Sequence, residues 1–198
     1  GKVFLVLNEK TASGFTQGGI TELDVKSMPT GLERTRFNPK DGQMYACGLF
    51  VWCSDQTQLG GFYRVRYTGK SLHMPLDLRV ASDGVVLRFT EPLDAGSAIE
   101  TGNYSAEMWQ YLRRRNYGSA DYKVLTSGVG HDALAIESAT LSSDGKSVFL
   151  KIPGIRPVQQ MHVDMNLRAA DGTRIRTYVH NTIHELGQQS GADLLENR

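Results

Sequence analysis

The sequence predicts an all-β protein: an immunoglobulin-like β-sandwich preceded by a short β-region with the texture of part of a propeller blade. Three observations carry this reading. Apolar and polar residues alternate through the long runs, as in Met161, Val163, Met165 and Leu167 against His162, Asp164, Asn166 and Arg168, which is the period of a half-buried strand. Asp83-Gly84, Asp144-Gly145 and Asp171-Gly172 each stand between two such runs, the strongest short-range hairpin signal. Finally, Gly61–Tyr67 places Tyr63, Val65 and Tyr67 on one parity and Arg64 and Arg66 on the other, and Gly69 and Pro75 then break the chain. That break divides residues 1–70 from a second region, 71–187, and from a polar tail, 188–198.

In the first region Val3–Leu7 reads as a buried strand, Thr11–Gly19 as a polar loop and Ile20–Val25 as a second strand. After Met28-Pro29-Thr30-Gly31, Leu32–Phe37 leads into Asn38-Pro39-Lys40-Asp41-Gly42, where proline presets φ and glycine supplies a positive one. Gln43–Gly48 and Gly61–Tyr67 complete the set. Strand, Asn-Pro-x-Asp-Gly turn, strand is what a propeller blade looks like in sequence.

In the second region Leu76, Leu78 and Val80 return through Val85, Leu87 and Phe89, and Leu134–Leu141 returns through Val148, Leu150 and Ile152. Met161–Arg168 returns through Ile175, Thr177 and Val179, and Asn103–Trp109 and Tyr122–Thr126 add further strands. Each has one apolar face, so two sheets must bury those faces against each other. The tail is expected to fray, or to form at most a short helix through Asp193–Glu196.

Bulk properties exclude several classes. At 198 residues the chain can bury a real core, and 40% hydrophobic with 22% charged residues is ordinary for a globular protein. A formal charge of +1 supplies no general field for nucleic acid or an anionic membrane. No apolar run approaches the roughly 18 residues of a spanning helix, and Val3–Leu7 is too short for a signal-peptide core.

Cys47 and Cys53 would lie about 20 Å apart on one extended strand. A bridge between them therefore needs a turn near Gly48-Leu49-Phe50 to bring their Cα atoms within about 7 Å. Such a bridge would contribute about 2 kcal/mol in the chain-entropy model. Two buried free thiols are the alternative, and an exported location favours the bridge.

Candidate chemistry is sparse. His180 and His184 would sit about 13 Å apart on a strand, too far to share an ion. Met161 and Met165 fall on the apolar face and His162 on the opposite one, so the three do not converge as soft ligands would. Arg113-Arg114-Arg115 beside aromatics could grip phosphates, but the neutral overall charge favours a solvated loop. Trp109, Tyr111, Tyr117 and Tyr122 could instead offer flat apolar rings to a sugar. Glu22 with Asp24, and His131 with Asp132, lack a nearby nucleophile, and Ser119 after Gly118 suits a turn. No Gly-x-Ser-x-Gly elbow, calcium loop or phosphate-cradling glycine loop occurs. Neither a catalytic residue, a metal ligand nor a cofactor is expected in this chain. Phe50-Val51-Trp52 is a contiguous apolar run: exposed, Phe50 and Trp52 would mark a partner surface, and otherwise they fill the core between the two regions.

Two stretches carry a family resemblance. Asn38-Pro-Lys-Asp-Gly-Gln-Met-Tyr45 with Gly60-Gly-Phe-Tyr-Arg-Val-Arg-Tyr-Thr-Gly69 resembles the final blade of sugar-dehydrogenase-like, quinone-type β-propellers. These occur in very large exported bacterial proteins that often carry c-type haem modules. The following segment resembles the bacterial immunoglobulin-like domain that trails such propellers. Its marks are Val86-Leu-Arg-Phe-Thr-Glu-Pro-Leu-Asp94, Asn103-Tyr-Ser105, Trp109-x-Tyr111, Tyr117-Gly-Ser119, Leu141-Ser-Ser-Asp-Gly145, Pro157-Val158 and Thr182-Ile-His-Glu-Leu186. The resemblance implies a periplasmic or secreted, non-catalytic portion of a larger protein, or a stand-alone relic of one, that caps or supports a propeller-type domain. Catalytic and quinone-binding residues of such propellers would lie upstream, and no Cys-x-x-Cys-His haem motif is present. The expected partner is a neighbouring domain or protein of an exported assembly, with neither nucleic acid nor a membrane span involved. A carbohydrate-binding module and a fragment of a quinone-dependent sugar dehydrogenase are the rival readings.

Overall fold

Asp-Gly turns close hairpins where the sequence places them. In the computed structural model, which describes residues 1–25, 28–50 and 56–196, β6 (Pro75–Val80) pairs antiparallel with β7 (Gly84–Phe89), and β13 (Val158–Arg168) with β14 (Arg174–Ile183). Likewise β11 (Ser138–Leu141) pairs with β12 (Ser147–Lys151). β12 also pairs with β7, which gives a four-stranded sheet in the order β11-β12-β7-β6.

The second sheet runs β1 (Phe4–Lys10), β2 (Thr16–Glu22), β14, β13, β8 (Tyr104–Tyr111) and β10 (Asp132–Leu134), with the two-residue β9 (Asp121–Tyr122) also on β8. Alternation sends Leu78, Val85, Leu87, Val148 and Leu150 from one sheet, and Met108, Met161, Val163, Leu167 and Val179 from the other, into one buried cluster. The product is a two-layer antiparallel β-sandwich. β7 and β12 are buried on both faces, because Val86 and Phe149 point outward and are covered by Leu194 and Leu195 of α2 (Gly191–Glu196). The tail therefore contributes a helix that packs.

The boundary falls differently from the sequence expectation of residues 1–70 as one region. Two units form: Gly1–Phe4 with Glu22–Leu72, and Leu5–Thr21 with His73–Arg198. β1 and β2 join the sandwich because β2 pairs with β14, Ile20 opposite His180 and Gly18 opposite Thr182, and Leu7 enters the core at 1% exposure. The expected polar loop is accordingly shorter, since β2 already begins at Thr16.

Three more elements differ in detail. The run Leu134–Leu141 is two strands, for β10 pairs with β8 in one sheet while β11 pairs with β12 in the other. Beyond β9 the expected strand through Thr126 gives way to a turn, because Asp132 Oδ2 accepts the amides of Val124 and Leu125 at 2.7 and 2.9 Å. A short helix, α1 (Ala95–Ile99), starts at Asp94, whose Oδ1 accepts Ser97 N at 2.8 Å as an N-cap does.

The smaller unit is a three-stranded antiparallel sheet, β3 (Arg34–Phe37), β4 (Met44–Leu49) and β5 (Gly60–Val65), in that order. The Asn38–Gly42 turn closes β3 onto β4, with Asn38 Oδ1 accepting Lys40 N at 3.0 Å and Tyr45 donating to Asp41 at 2.8 Å. On one face Gly31 presses against Gly48 so closely that a Cβ there would meet Gly31 O at 1.5 Å, and Ala46 is buried. The other face bears Arg34, Arg36, Cys47, Leu49, Phe62 and Arg64, all exposed.

Candidate functional site

The outer face of the larger sheet gathers most of the side chains with chemistry to offer. Register fixes them, since Glu107 of β8, His162 of β13 and His180 of β14 lie side by side on three adjacent strands. The His162 and His180 rings stack at 4.3 Å, and Tyr178 meets both edge-on at 5.6 and 5.2 Å. Trp109 stacks on His131 at 4.0 Å and turns its edge towards His180 at 5.9 Å. Five rings thus form a continuous rib across the sheet.

Carboxylates flank the rib. His131 lies between Asp121, 2.9 Å from Nε2, and Glu107, 3.0 Å from Nδ1. The hydrogen bond to Asp121, followed by Glu107, raises its pKa above the ordinary histidine value. His180 moves the opposite way, because partial burial and then the neighbouring His162 disfavour its charged form. Over the interval between them, His131 carries a charge that Asp121, Glu107 and the Trp109 face all favour, while His180 is neutral. This arrangement clasps the loop after β9 onto the sheet. Among the described residues no group of three or more His, Cys, Asp or Glu could hold a metal ion.

Shallow troughs lie on either side of the rib. One, of about 440 Å3, is lined by Asn103, Ser105, Asp164, Asn166, Arg176 and Tyr178. The other, of about 390 Å3, runs over Gly18 between Val6, Asn8, Gln160, His180 and Thr182.

The expected aromatic set is only partly brought together. Trp109 is 6% exposed beneath His131 and donates its Nε1 proton to Tyr111 Oη at 3.0 Å. Tyr122 belongs with Arg114, whose guanidinium sits 5.1 Å from the ring and donates to its hydroxyl. Tyr117 stands fully exposed. These four do not form one flat platform, and Arg114 of the arginine triplet is engaged locally.

Other candidates sit as follows. Met161 and Met165 are in the core at 0% and 3% exposure, with His162 on the far face. His184 N is accepted by Gln17 Oε1 at 2.9 Å. Ser119 Oγ accepts Leu112 N and donates to Ala120 O, which is turn chemistry. β2 ends at Glu22, so Asp24 does not continue its face, and Glu22 pairs with Lys2 at 2.7 Å. Cys47 is an exposed free thiol on β4, and Phe50, just past the end of β4, is exposed as well. Cys53 and Trp52, the other members of those two expectations, lie outside the described residues.

One buried carboxylate escaped the sequence reading. Glu9, 8% exposed, accepts Val80 N on both oxygens at 3.1 Å and Gln17 Nε2 at 2.9 Å. Burial raises its pKa against these bonds. Gln17 in turn accepts the amides of His184 and Glu185, so one network ties β1, β2, β6 and the chain after β14. No protein-family model, curated protein or solved structure matches the chain.

Proposed function

We propose that this chain is a non-catalytic interaction module of an exported assembly, an immunoglobulin-like sandwich joined to a blade-like sheet that completes a neighbouring domain. The observation that supports it most is the bare face of the β3–β4–β5 sheet. Phe62 is 72% and Leu49 46% exposed there, and Phe37 and Leu59 of the same small unit are 72% and 86% exposed. A sheet normally packs both layers or solvates one with polar groups, and large exposed aromatics mark a surface meant to be covered. An adjacent blade-like sheet is the occupant the blade resemblance implies.

Substitution and activity test it together. Phe62→Ser is expected to leave the melting temperature of the isolated chain within about 2 °C while lowering binding of a hydrophobic dye, whereas Leu87→Ala, fully buried, costs about 2–5 kcal/mol. A loss at Phe62 equal to that at Leu87 would overturn the reading. So would dye-linked dehydrogenase turnover by this chain with added quinone and calcium.

Glycan recognition is a second reading, favoured by the trough beside Tyr178. Asp164, Asn166, Asn103 and Arg176 present planar polar groups suited to paired hydroxyls next to an aromatic ring. Retardation of the chain in polysaccharide gels, lost in Asn166→Ala but kept in Trp109→Ala, would support this site over the Trp109 set.

A further inference from the structure

The bare sheet face combines apolar and cationic groups in a fixed register. Arg36, Tyr45 and Arg64 form one cross-strand row, and Arg34, Cys47 and Phe62 form the next, about 7 Å further along the strands. The Tyr45 and Phe62 rings stack across the rows at 5.8 Å and 28°. An aromatic diagonal therefore crosses the sheet with arginines to either side.

Those arginines have little to hold. Arg34 and Arg36 each donate to a backbone carbonyl of the residue before, Glu33 and Thr35, at 2.7 and 2.9 Å. No salt bridge between described residues involves Arg34, Arg36 or Arg64. Asp41 is the acid that feels Arg64, and its carboxylate also accepts the Tyr45 hydroxyl. Arg34 and Arg36 lie at the opposite edge strand, with guanidinium forks of the shape that carboxylates fill.

The geometry points to an acidic protein surface as the occupant of this face: a strand or sheet whose apolar residues cover Phe62 and Leu49 and whose carboxylates meet Arg34 and Arg36. This rests on the docking reading above and adds the partner's chemistry to it. Phosphate polymers fit less well. Phe62 and Leu49 require apolar cover, Asp41 would repel a phosphate chain passing Arg64, and the net charge of +1 gives no long-range attraction.

Size says how the partner is held. Three strands about 4.8 Å apart and four to six residues long present roughly 250 Å2. A stable complex between free proteins covers about 800 Å2 on each side. The acidic surface is therefore tethered in the same assembly, where an effective concentration in the millimolar range compensates for a small contact. Offered in solution, the same chemistry binds weakly and is screened by salt.

The test is a nuclear magnetic resonance titration of the full chain with short peptides alternating Glu with Val and Tyr, their Gln and Lys counterparts, and an oligothymidylate. The Glu peptide is expected to shift β3–β5 amides at low salt, saturating near millimolar concentration. About 1 M salt should abolish the shifts. The Arg34→Glu/Arg36→Glu variant, with an unchanged melting temperature, should weaken binding about tenfold or more. Equal shifts with the Gln peptide would overturn the acidic-partner inference and leave apolar docking standing. Tighter binding of oligothymidylate would overturn it in favour of a nucleic acid. No shift with any peptide would overturn both the inference and the docking reading.

Discussion

Glu9 is a buried acceptor shared by three strands of the sandwich, and replacing it by alanine isolates its contribution. The substitution leaves two donors, Val80 N and the Gln17 Nε2 proton aimed at Glu9, without their acceptor. Each orphaned buried donor costs about 1–3 kcal/mol. Glu9, Val80 and Gln17 also line an open trough of about 530 Å3, so water can reach the vacated space and the lower half of that range applies, about 2–4 kcal/mol in total. At about 2–4 °C per kcal/mol for a chain of this size, Glu9→Ala should lower the melting temperature by about 5–15 °C. Glu9→Gln separates charge from shape. Burial raises the Glu9 pKa above 4.5, so its contribution is fullest below the unfolded pKa and declines as the pH rises through the folded one. The glutamine variant should therefore lose less than half as much as the alanine variant at neutral pH, and should lack that decline. Thermal melts of the three proteins from acid to neutral pH decide the matter. Equal losses for alanine and glutamine, or an alanine cost below about 0.5 kcal/mol, would refute the buried-acceptor account.

Three further predictions concern the larger sheet. Gly18 has a φ of +149°, and a Cβ there would lie 1.8 Å from Leu7 O; Gly18→Ala should detach β1, seen as faster amide exchange from Leu5 to Lys10, and protection equal to wild type would contradict the pairing. Asn181 is 2% exposed with both amide atoms unpartnered among the described residues, so Asn181→Leu should raise stability by about 1–2 kcal/mol, and a lower melting temperature would show that a buried water satisfies the amide. His131 has a raised pKa, so its stabilisation is present below about pH 6.5 and is lost as the pH rises through the folded value. His131→Gln should then cost up to about 1 kcal/mol in mild acid and less at alkaline pH, and a cost independent of pH would exclude the clasp.

Much of the fold was legible because local chemistry sets it. Alternation placed the core methionines and the outward His162, and Asp-Gly turns placed the hairpins. Pairing between distant segments was not legible. Nothing in Thr16–Glu22 says that Gly18 and Ile20 will lie against Thr182 and His180, so sequence alone groups the N-terminal hairpin with the smaller region. The ring rib escaped for the same reason, since Glu107, His162 and His180 become neighbours only once three strands share a register. Trp109 and Tyr111 are two apart on one strand and could be grouped on sequence alone, but the covering of Trp109 by His131 from a distant loop could not. Glu9 lies beyond the strand that Val3–Leu7 suggests, and its burial follows from where Val80 arrives.

The docking role of the small sheet depends on which apolar groups meet water. Carbene footprinting of the intact chain measures this residue by residue. Heavy labelling is expected at Phe62, Phe37 and Leu59, with Phe89, Leu87 and Met161 protected, as their exposures of 72%, 72% and 86% against 1%, 0% and 0% require. Protection of Phe62 equal to that of Leu87 would mean that the small sheet already has its cover, and the docking role would be contradicted.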